Sequence, residues 1–159
     1  SATVTNPNPT NSPSFGLAYG AMTGTYVEYC IRENSTVVGG CTWTAGTLPA
    51  TFAVSGDGAK VLSIWLRDAA GNVSTRVDTG SVTLDTSAPT LASATLSNSN
   101  PTNTVVYSLT YGAADAYSHH CVLENSTTVA SCTWTAGALP ASFSVANTQG
   151  AKTLSVWIR

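Results

Sequence analysis

Charge is what this chain has least of. Charged residues make up 9% of its 159 positions, against roughly 25% in ordinary soluble proteins, and Ser, Thr, Asn and Gly take their place. A net charge of −2 sets up no field that would draw in nucleic acid or an anionic membrane, so neither is an expected partner. No apolar run reaches the ~18–20 residues of a membrane span, and no cationic-then-apolar leader opens the sequence. An initiator Met is also missing, so Ser1 reads as a boundary set by processing or by the choice of fragment. No helical period of 3.6 recurs, which leaves strands as the expected element throughout.

What the chain does have is a long internal repeat. Cys30-Ile-Arg-Glu-Asn-Ser-Thr36, Cys41-Thr-Trp-Thr-Ala-Gly46 and Leu48-Pro-Ala50 return as Cys121-Val-Leu-Glu-Asn-Ser-Thr127, Cys132-Thr-Trp-Thr-Ala-Gly137 and Leu139-Pro-Ala141. Lys60 and Trp65 return as Lys152 and Trp157, one residue further out of step. The offset of about 91 residues is too long for a solenoid unit of ~20–50 residues and suits a whole small domain. Two domains are therefore expected, 1–87 and 88–159, each with a core of its own, an arrangement that gives reach and multivalency.

Domains of this size bury a modest share of their surface and often need a covalent brace. Four cysteines fall two per copy, and the simplest pairing is Cys30–Cys41 and Cys121–Cys132. Closing so short a loop is worth up to ~3 kcal/mol in the chain-entropy model. A zinc site would want closely spaced Cys or His pairs, and neither copy supplies four ligands. Disulfides imply an oxidising compartment, so a secreted or cell-surface location is expected.

Alternation with a period of two places a strand through Phe15, Leu17 and Tyr19, with Tyr107, Leu109 and Tyr111 as its copy. Further strands are expected over Tyr26–Arg32 and Tyr117–Leu123, on the return past Trp43 and Trp134, around Phe52/Val54 and Phe143/Val145, and near Val82–Leu84. The clearest runs unbroken from Lys60 to Arg67, repeated from Lys152 to Arg159. Its inward set is Leu62, Ile64 and Leu66, which leaves Ser63, Trp65 and Arg67 on the other face. Short strands with turn signals at regular spacing describe an antiparallel β-sandwich.

Lys60 through Ser74, ending Arg-Asp-Ala-Ala-Gly-Asn-Val-Ser, resembles the last hairpin of bacterial immunoglobulin-like repeats. Asp85-Thr-Ser-Ala-Pro-Thr90 resembles the linker that joins such repeats in large secreted adhesins. The resemblance implies an all-β chain of tandem Ig-like sandwiches, here with one intradomain disulfide each. It departs from antibody domains in bracing neighbouring strands instead of bridging two sheets, which leaves a fibronectin type III-like strand arrangement open. The second copy stops at the counterpart of Arg67 and lacks the final strand. Either it is cut from a longer chain, or a neighbouring chain supplies the strand by β-addition and a polymer forms through the open edge.

Candidate sites are few. His119 and His120 stand where the first copy has Glu28 and Tyr29, so no repeated site uses them. No serine lies in a G-x-S-x-G elbow, and Glu33 and Glu124 precede a turn, where local hydrogen bonding or pairing with a cation accounts for them. No catalytic residue is assigned and the chain is not expected to be an enzyme. Asp68, Asn72, Asp78 and Asp85 are oxygen donors near one end of the first copy and its linker. Adhesin arrays of the kind the chain resembles often hold calcium with linker aspartates, which makes calcium the cofactor to test here. Trp65 and Trp157 on the outward face could stack on sugar rings, or lie flat over the sheet beneath Arg67 and Arg159. Trp43 and Trp134 are expected to pack against the disulfides. Asn34, Asn72 and Asn125 match the N-glycosylation pattern, which the turn chemistry of those stretches also explains.

Taken together, the residues lead us to expect the stalk or shaft of an exported bacterial surface or fibre protein. Its partners would be neighbouring repeats, a second copy at the open sheet edge, or a host or surface glycan or protein. A carbohydrate-binding module array and a self-assembling filament are the alternatives.

Overall fold

Apolar residues at alternate positions fix the strands, and the Gly-, Asn- and Pro-containing stretches between them fix the turns. The computed structural model describes residues 1–159 and is all-β, with antiparallel sheets and one short 3₁₀ turn at Val129–Ser131. Two compact units form, Ser1–Ser87 and Ala88–Arg159.

The first unit contains β1 (Ala2–Val4), β2 (Ser14–Tyr19), β3 (Glu28–Glu33), β4 (Thr44–Ala45), β5 (Thr51–Ala53), β6 (Gly58–Lys60), β7 (Leu62–Arg67), β8 (Val77–Asp78) and β9 (Val82–Leu84). They make a three-stranded sheet in the order β1-β2-β5, a four-stranded sheet β4-β3-β7-β8 and a two-stranded ribbon β6-β9. The core lies between the sheets. Phe15 and Leu17 of β2, Leu62 of β7, Val82 and Leu84 of β9 and Val54 form one buried cluster, with Ile31 and Phe52 packed against it. Phe15 and Leu62 are 0% exposed.

The second unit contains β10 (Ala94–Leu96), β11 (Val106–Tyr111), β12 (His119–Glu124), β13 (Thr135–Ala136), β14 (Ser142–Ser144) and β15 (Leu154–Ile158). Its sheets run β10-β11-β14 and β13-β12-β15. Residues 88–159 hold no counterpart of β8 or β9, and Gly150–Lys152 are not a strand.

The expected single strand from Lys60 to Arg67 is corrected to two. Asn34 causes the break. Its backbone turns into the left-handed region at φ 49°, which asparagine tolerates better than most residues. From there its N–H donates to Val61 O at 2.8 Å and its Oδ1 accepts the Val61 N–H at 2.9 Å. With both backbone groups of Val61 taken, β6 pairs with β9 while β7 pairs with β3 and β8. Asn125, at φ 50°, makes the same two bonds to Thr153, at 2.7 and 2.9 Å. Three strands, β1, β8 and β10, are additions to the sequence reading. Glu33 and Glu124 do pair with cations: Lys60 Nζ lies 2.7 Å from Glu33 Oε1 and donates to Ser55 O, and Lys152 Nζ lies 2.6 Å from Glu124 Oε1.

Candidate functional site

Residues directly opposite one another in an antiparallel pair share a face of the sheet. Between β3 and β7 these pairs are Glu28 with Arg67, Cys30 with Trp65 and Arg32 with Ser63 on one face, and Tyr29 with Leu66, Ile31 with Ile64 and Glu33 with Leu62 on the other. The second set faces the core. The first set is where the sulfur chemistry sits: Cys30 bonds to Cys41 and Cys121 to Cys132, each with a Cα–Cα distance of 5.8 Å.

Bonding Cys30 to Cys41 folds the intervening loop back over that face, where two arginines bond its carbonyls and a third holds Trp43 just beyond it. Arg32 Nη1 donates to the carbonyls of Val37 and Gly39. Arg67 pairs with Glu28 and sets its guanidinium 4.4 Å over the centre of the Trp43 ring. Arg76 donates to Thr36 O at 2.9 Å and pairs with Asp78, which accepts from Ser63 Oγ at 2.7 Å. In the second unit Arg159 sits 4.5 Å over Trp134. Leu123 stands at the position of Arg32.

Trp65 and Trp157 lie on the face opposite the core set, and there Trp65 is covered. Trp65 is 4% exposed and Ser63 2%, so both faces of β7 are covered; Trp157 is half-buried. The tryptophans beside the sulfurs across the ladder are Trp65 and Trp157, whereas Trp43 and Trp134 stack on arginines. Cys30 and Trp65 are opposite each other in the ladder, and at 4% exposed the Trp65 ring offers no open face for a sugar to stack on.

The four oxygen donors weighed for calcium have other partners. Asp68 Oδ1 accepts the backbone N–H groups of Ala70 and Asn72 at 2.9 and 2.8 Å, and its Oδ2 accepts from Asn72 Nδ2 at 2.9 Å. The Asn72 side-chain amide, and after it the backbone N–H groups, hold the Asp68 carboxyl below the usual carboxylate range. Asp78 is matched to Arg76, and Asp85 accepts from the Ser87 N–H at 3.2 Å. No three carboxylate, His or Cys side chains gather as metal ligands would. Calcium wants six to eight oxygens; here Asp68 caps its own turn and Asp78 pairs with Arg76. Asp68 and Asn72 line a shallow depression of ≈220 Å³ with Thr23, Tyr26 and Leu66.

Other polar side chains serve the fold as well. His119 Nδ1 lies 2.8 Å from Ser118 Oγ, and the buried His120 lies 3.1 Å from Gly137 O through Nδ1. Sequence reasoning missed a tyrosine pair that grips the Leu-Pro segment of each copy. Tyr26 Oη accepts the Leu48 N–H while Tyr19 Oη donates to Pro49 O at 2.8 Å. Tyr117 and Tyr111 do the same to Leu139 and Pro140. Burial, with Tyr29 and Tyr26 close by, pushes the Tyr19 hydroxyl up to about 12, and burial raises that of Tyr111. The recurrence of Tyr26 and Tyr117 at the same distance before Leu-Pro, with Tyr19 and Tyr111 within one residue of a common spacing, was the available signal. Asp57 accepts from Thr86 Oγ1, Ser87 Oγ and the Thr86 N–H. Asp115 accepts from the N–H and hydroxyl of Thr90.

No model of a known protein family matches the chain, and no curated protein matches it.

Proposed function

We propose that this chain is a stalk segment of an exported bacterial surface or fibre protein, made of two Ig-like β-sandwiches in tandem. One observation carries the reading: the side chains that recur between the two units are the ones that hold the fold. Disulfide, Trp–Arg stack, tyrosine grip on Leu-Pro, Asn–backbone clasp and Lys–Glu pair all return in the second unit. A device repeated for cohesion suits a part whose task is to keep its shape under load.

The load-resisting parts can be named. The longest ladder of the first unit is β3–β7, six residue pairs, and that of the second is β12–β15, five pairs. Cooperative ladders of this kind yield together, because each backbone bond is held in place by its neighbours. The disulfides keep residues 30–41 and 121–132 from paying out when a ladder does yield. At the connection, Asp57 holds Thr86 and Ser87 to the first unit and Asp115 holds Thr90 to the second. That leaves Ala88 and Pro89 without such an anchor, and the Pro89 ring fixes its own φ. Two disulfides are compatible with an extracellular setting, and no helix is long and apolar enough to cross a membrane.

Single-molecule extension of the chain tests the reading. Two discrete unfolding events are expected. Reduction should lengthen each by the loop its disulfide encloses, whose 11-residue separation corresponds to about 35–40 Å of extended chain at ~3.3–3.6 Å per residue. Smooth extension without discrete events, in the oxidised protein, would defeat the stalk reading.

A further inference from the structure

The side chains that recur between the two copies hold the fold, whereas two aspartates that do not recur hold the connecting segment. Counting on from Val54, Asp57 stands where the second copy has Thr148; counting back from Tyr117, Asp115 stands where the first has Gly24. Between these aspartates in the fold the backbone bonding stops and restarts. The Asp85 N–H still donates to Thr10 O at 2.9 Å, and Thr90 O accepts the Asp115 N–H at 3.0 Å beside the Leu91–Ala114 bridge. Thr86, Ser87, Ala88 and Pro89 make no backbone–backbone hydrogen bond.

Asp57 holds the first two of these four residues. Its Oδ1 accepts the Thr86 N–H at 2.9 Å and the Thr86 hydroxyl at 2.7 Å, and its Oδ2 accepts the Ser87 hydroxyl at 2.7 Å. Hydrogen bonds to a carboxylate are roughly twice as strong as neutral ones. The turn that presents Asp57 is itself fixed. Gly56 and Gly58 on either side take φ 68° and 110°, which a side chain would disfavour. Lys60 Nζ, paired with Glu33, donates to Ser55 O at 2.6 Å, and Glu33 Oε2 accepts the Ser55 N–H at 3.3 Å. In the second copy Thr148 only accepts from Lys152 Nζ, at 2.7 Å. Asp115 Oδ2 accepts the N–H and hydroxyl of Thr90 at 2.9 and 2.7 Å. Each clasp lies within one unit.

We propose that Asp57 is a latch that sets how much of the connecting segment is free. Closed, it leaves Ala88 and Pro89; opened by neutralising the carboxylate, it frees Thr86 to Pro89 and doubles the reach of the joint, from about 7 Å to about 14 Å at ~3.3–3.6 Å per residue. Asp115 is the lesser clasp, because Thr90 O keeps its backbone bond to the N–H of residue 115 when that side chain is lost. Acid opens the latch. The hydroxyls of Thr86 and Ser87, and after them the Thr86 N–H, hold the Asp57 carboxyl below the usual carboxylate range, and the Lys60 charge acts in the same direction. Glu33, paired with Lys60, and Asp85, which accepts the Ser87 N–H, are the other charged groups about this turn. Because the folded value is depressed, the latch stays shut at neutral pH and opens as pH falls through that value. The inference goes beyond the stalk reading and does not need it, since it concerns any task of two linked units.

Backbone amide relaxation on the isotope-labelled 159-residue chain tests it. At neutral pH, Thr86, Ser87 and Thr90 should show order parameters near the ~0.85 of rigid backbone, with a drop confined to Ala88. Asp57→Ala should bring Thr86 and Ser87 below about 0.6. Asp115→Ala should leave those two rigid and lower Thr90 by less. On acidifying the unsubstituted chain, the Thr86 and Ser87 amide shifts should move with the Asp57 carboxyl resonance at one shared midpoint. Rigid Thr86 and Ser87 in Asp57→Ala, with Lys60 and Leu84 amides dispersed as in a folded unit, would overturn the latch. So would an unsubstituted chain already mobile at both residues. Should Asp57→Ala unfold the first unit, the acid titration decides: amides that ignore the Asp57 midpoint overturn the proposal. None of these results bears on the discrete unfolding events that test the stalk.

Discussion

Removing the Cys30–Cys41 bond separates two things a disulfide does: restricting the unfolded chain and holding the folded one. The 11-residue separation gives a loss of about 3 kcal/mol at 25 °C from unfolded-state entropy alone. For a unit of this size, 1 kcal/mol moves the midpoint by roughly 4–8 °C, so Cys30→Ala/Cys41→Ala should melt roughly 12–24 °C lower. The folded loop, however, should stay where it is. Arg32 holds two of its carbonyls, Arg76 a third, and Arg67 lies on Trp43. Trp65 should therefore remain shielded in the folded variant. Cys121→Ala/Cys132→Ala carries the same entropic term, because the separation is again 11. Its loop has Leu123 in place of Arg32, so no guanidinium holds the carbonyls there, and native-state fluorescence should shift red as Trp157 gains water. Calorimetry gives the two midpoints, and tryptophan emission below the transitions reports the loops. A midpoint change under about 4 °C in the first variant, or a red shift there equal to the second, would refute the assignment of the arginines as independent pins.

Two further outcomes follow from the same packing. Leu84, at 1% exposed and central to the core cluster, should cost about 2–5 kcal/mol when cut to alanine, read as a lower midpoint of the first unit only; a loss under 1 kcal/mol would mean β9 does not close that core. Asp57, Asp68, Asp115 and Glu124 are held below the usual carboxylate range, chiefly by side-chain hydrogen bonds from Thr86, Asn72, Thr90 and Lys152 respectively. Because their folded values are depressed, their stabilisation is complete above the ordinary carboxylate range and is lost as pH falls through the folded values. Midpoints should thus fall below about pH 4 and change less steeply there in Asp57→Asn; an unchanged slope in that variant would remove Asp57 from the acid response.

Much of the strand layout could be read directly from the residues, because a half-buried strand must alternate. Phe15, Leu17 and Tyr19 announce β2, and Tyr107, Leu109 and Tyr111 announce β11. The shortest strands escaped for the opposite reason. Ala2–Val4, Ala94–Leu96 and Val77–Asp78 are two or three residues long, too short to show a period, and exist because a longer neighbour offers them a ladder. The break at Val61 was hidden too, since the residue that causes it, Asn34, lies 27 positions away.

The candidate sites divide along the same line. Aspartates close in sequence looked like a donor set, but Asp68 folds its hydrogen bonds into its own turn and Asp78 meets Arg76. Trp65 looked outward because alternation assigns a side to each residue without saying what covers that side.

By itself, then, the sequence determined the internal repeat, the strand-forming alternation and the cysteine spacing, all properties of neighbouring residues or of one copy against the other. Only the tertiary structure decided that Trp65 is buried, that Asn34 interrupts the strand at Val61, and that β9 seals the first core. Burial and hydrogen-bond satisfaction depend on what distant segments bring to a surface, and no local pattern encodes that.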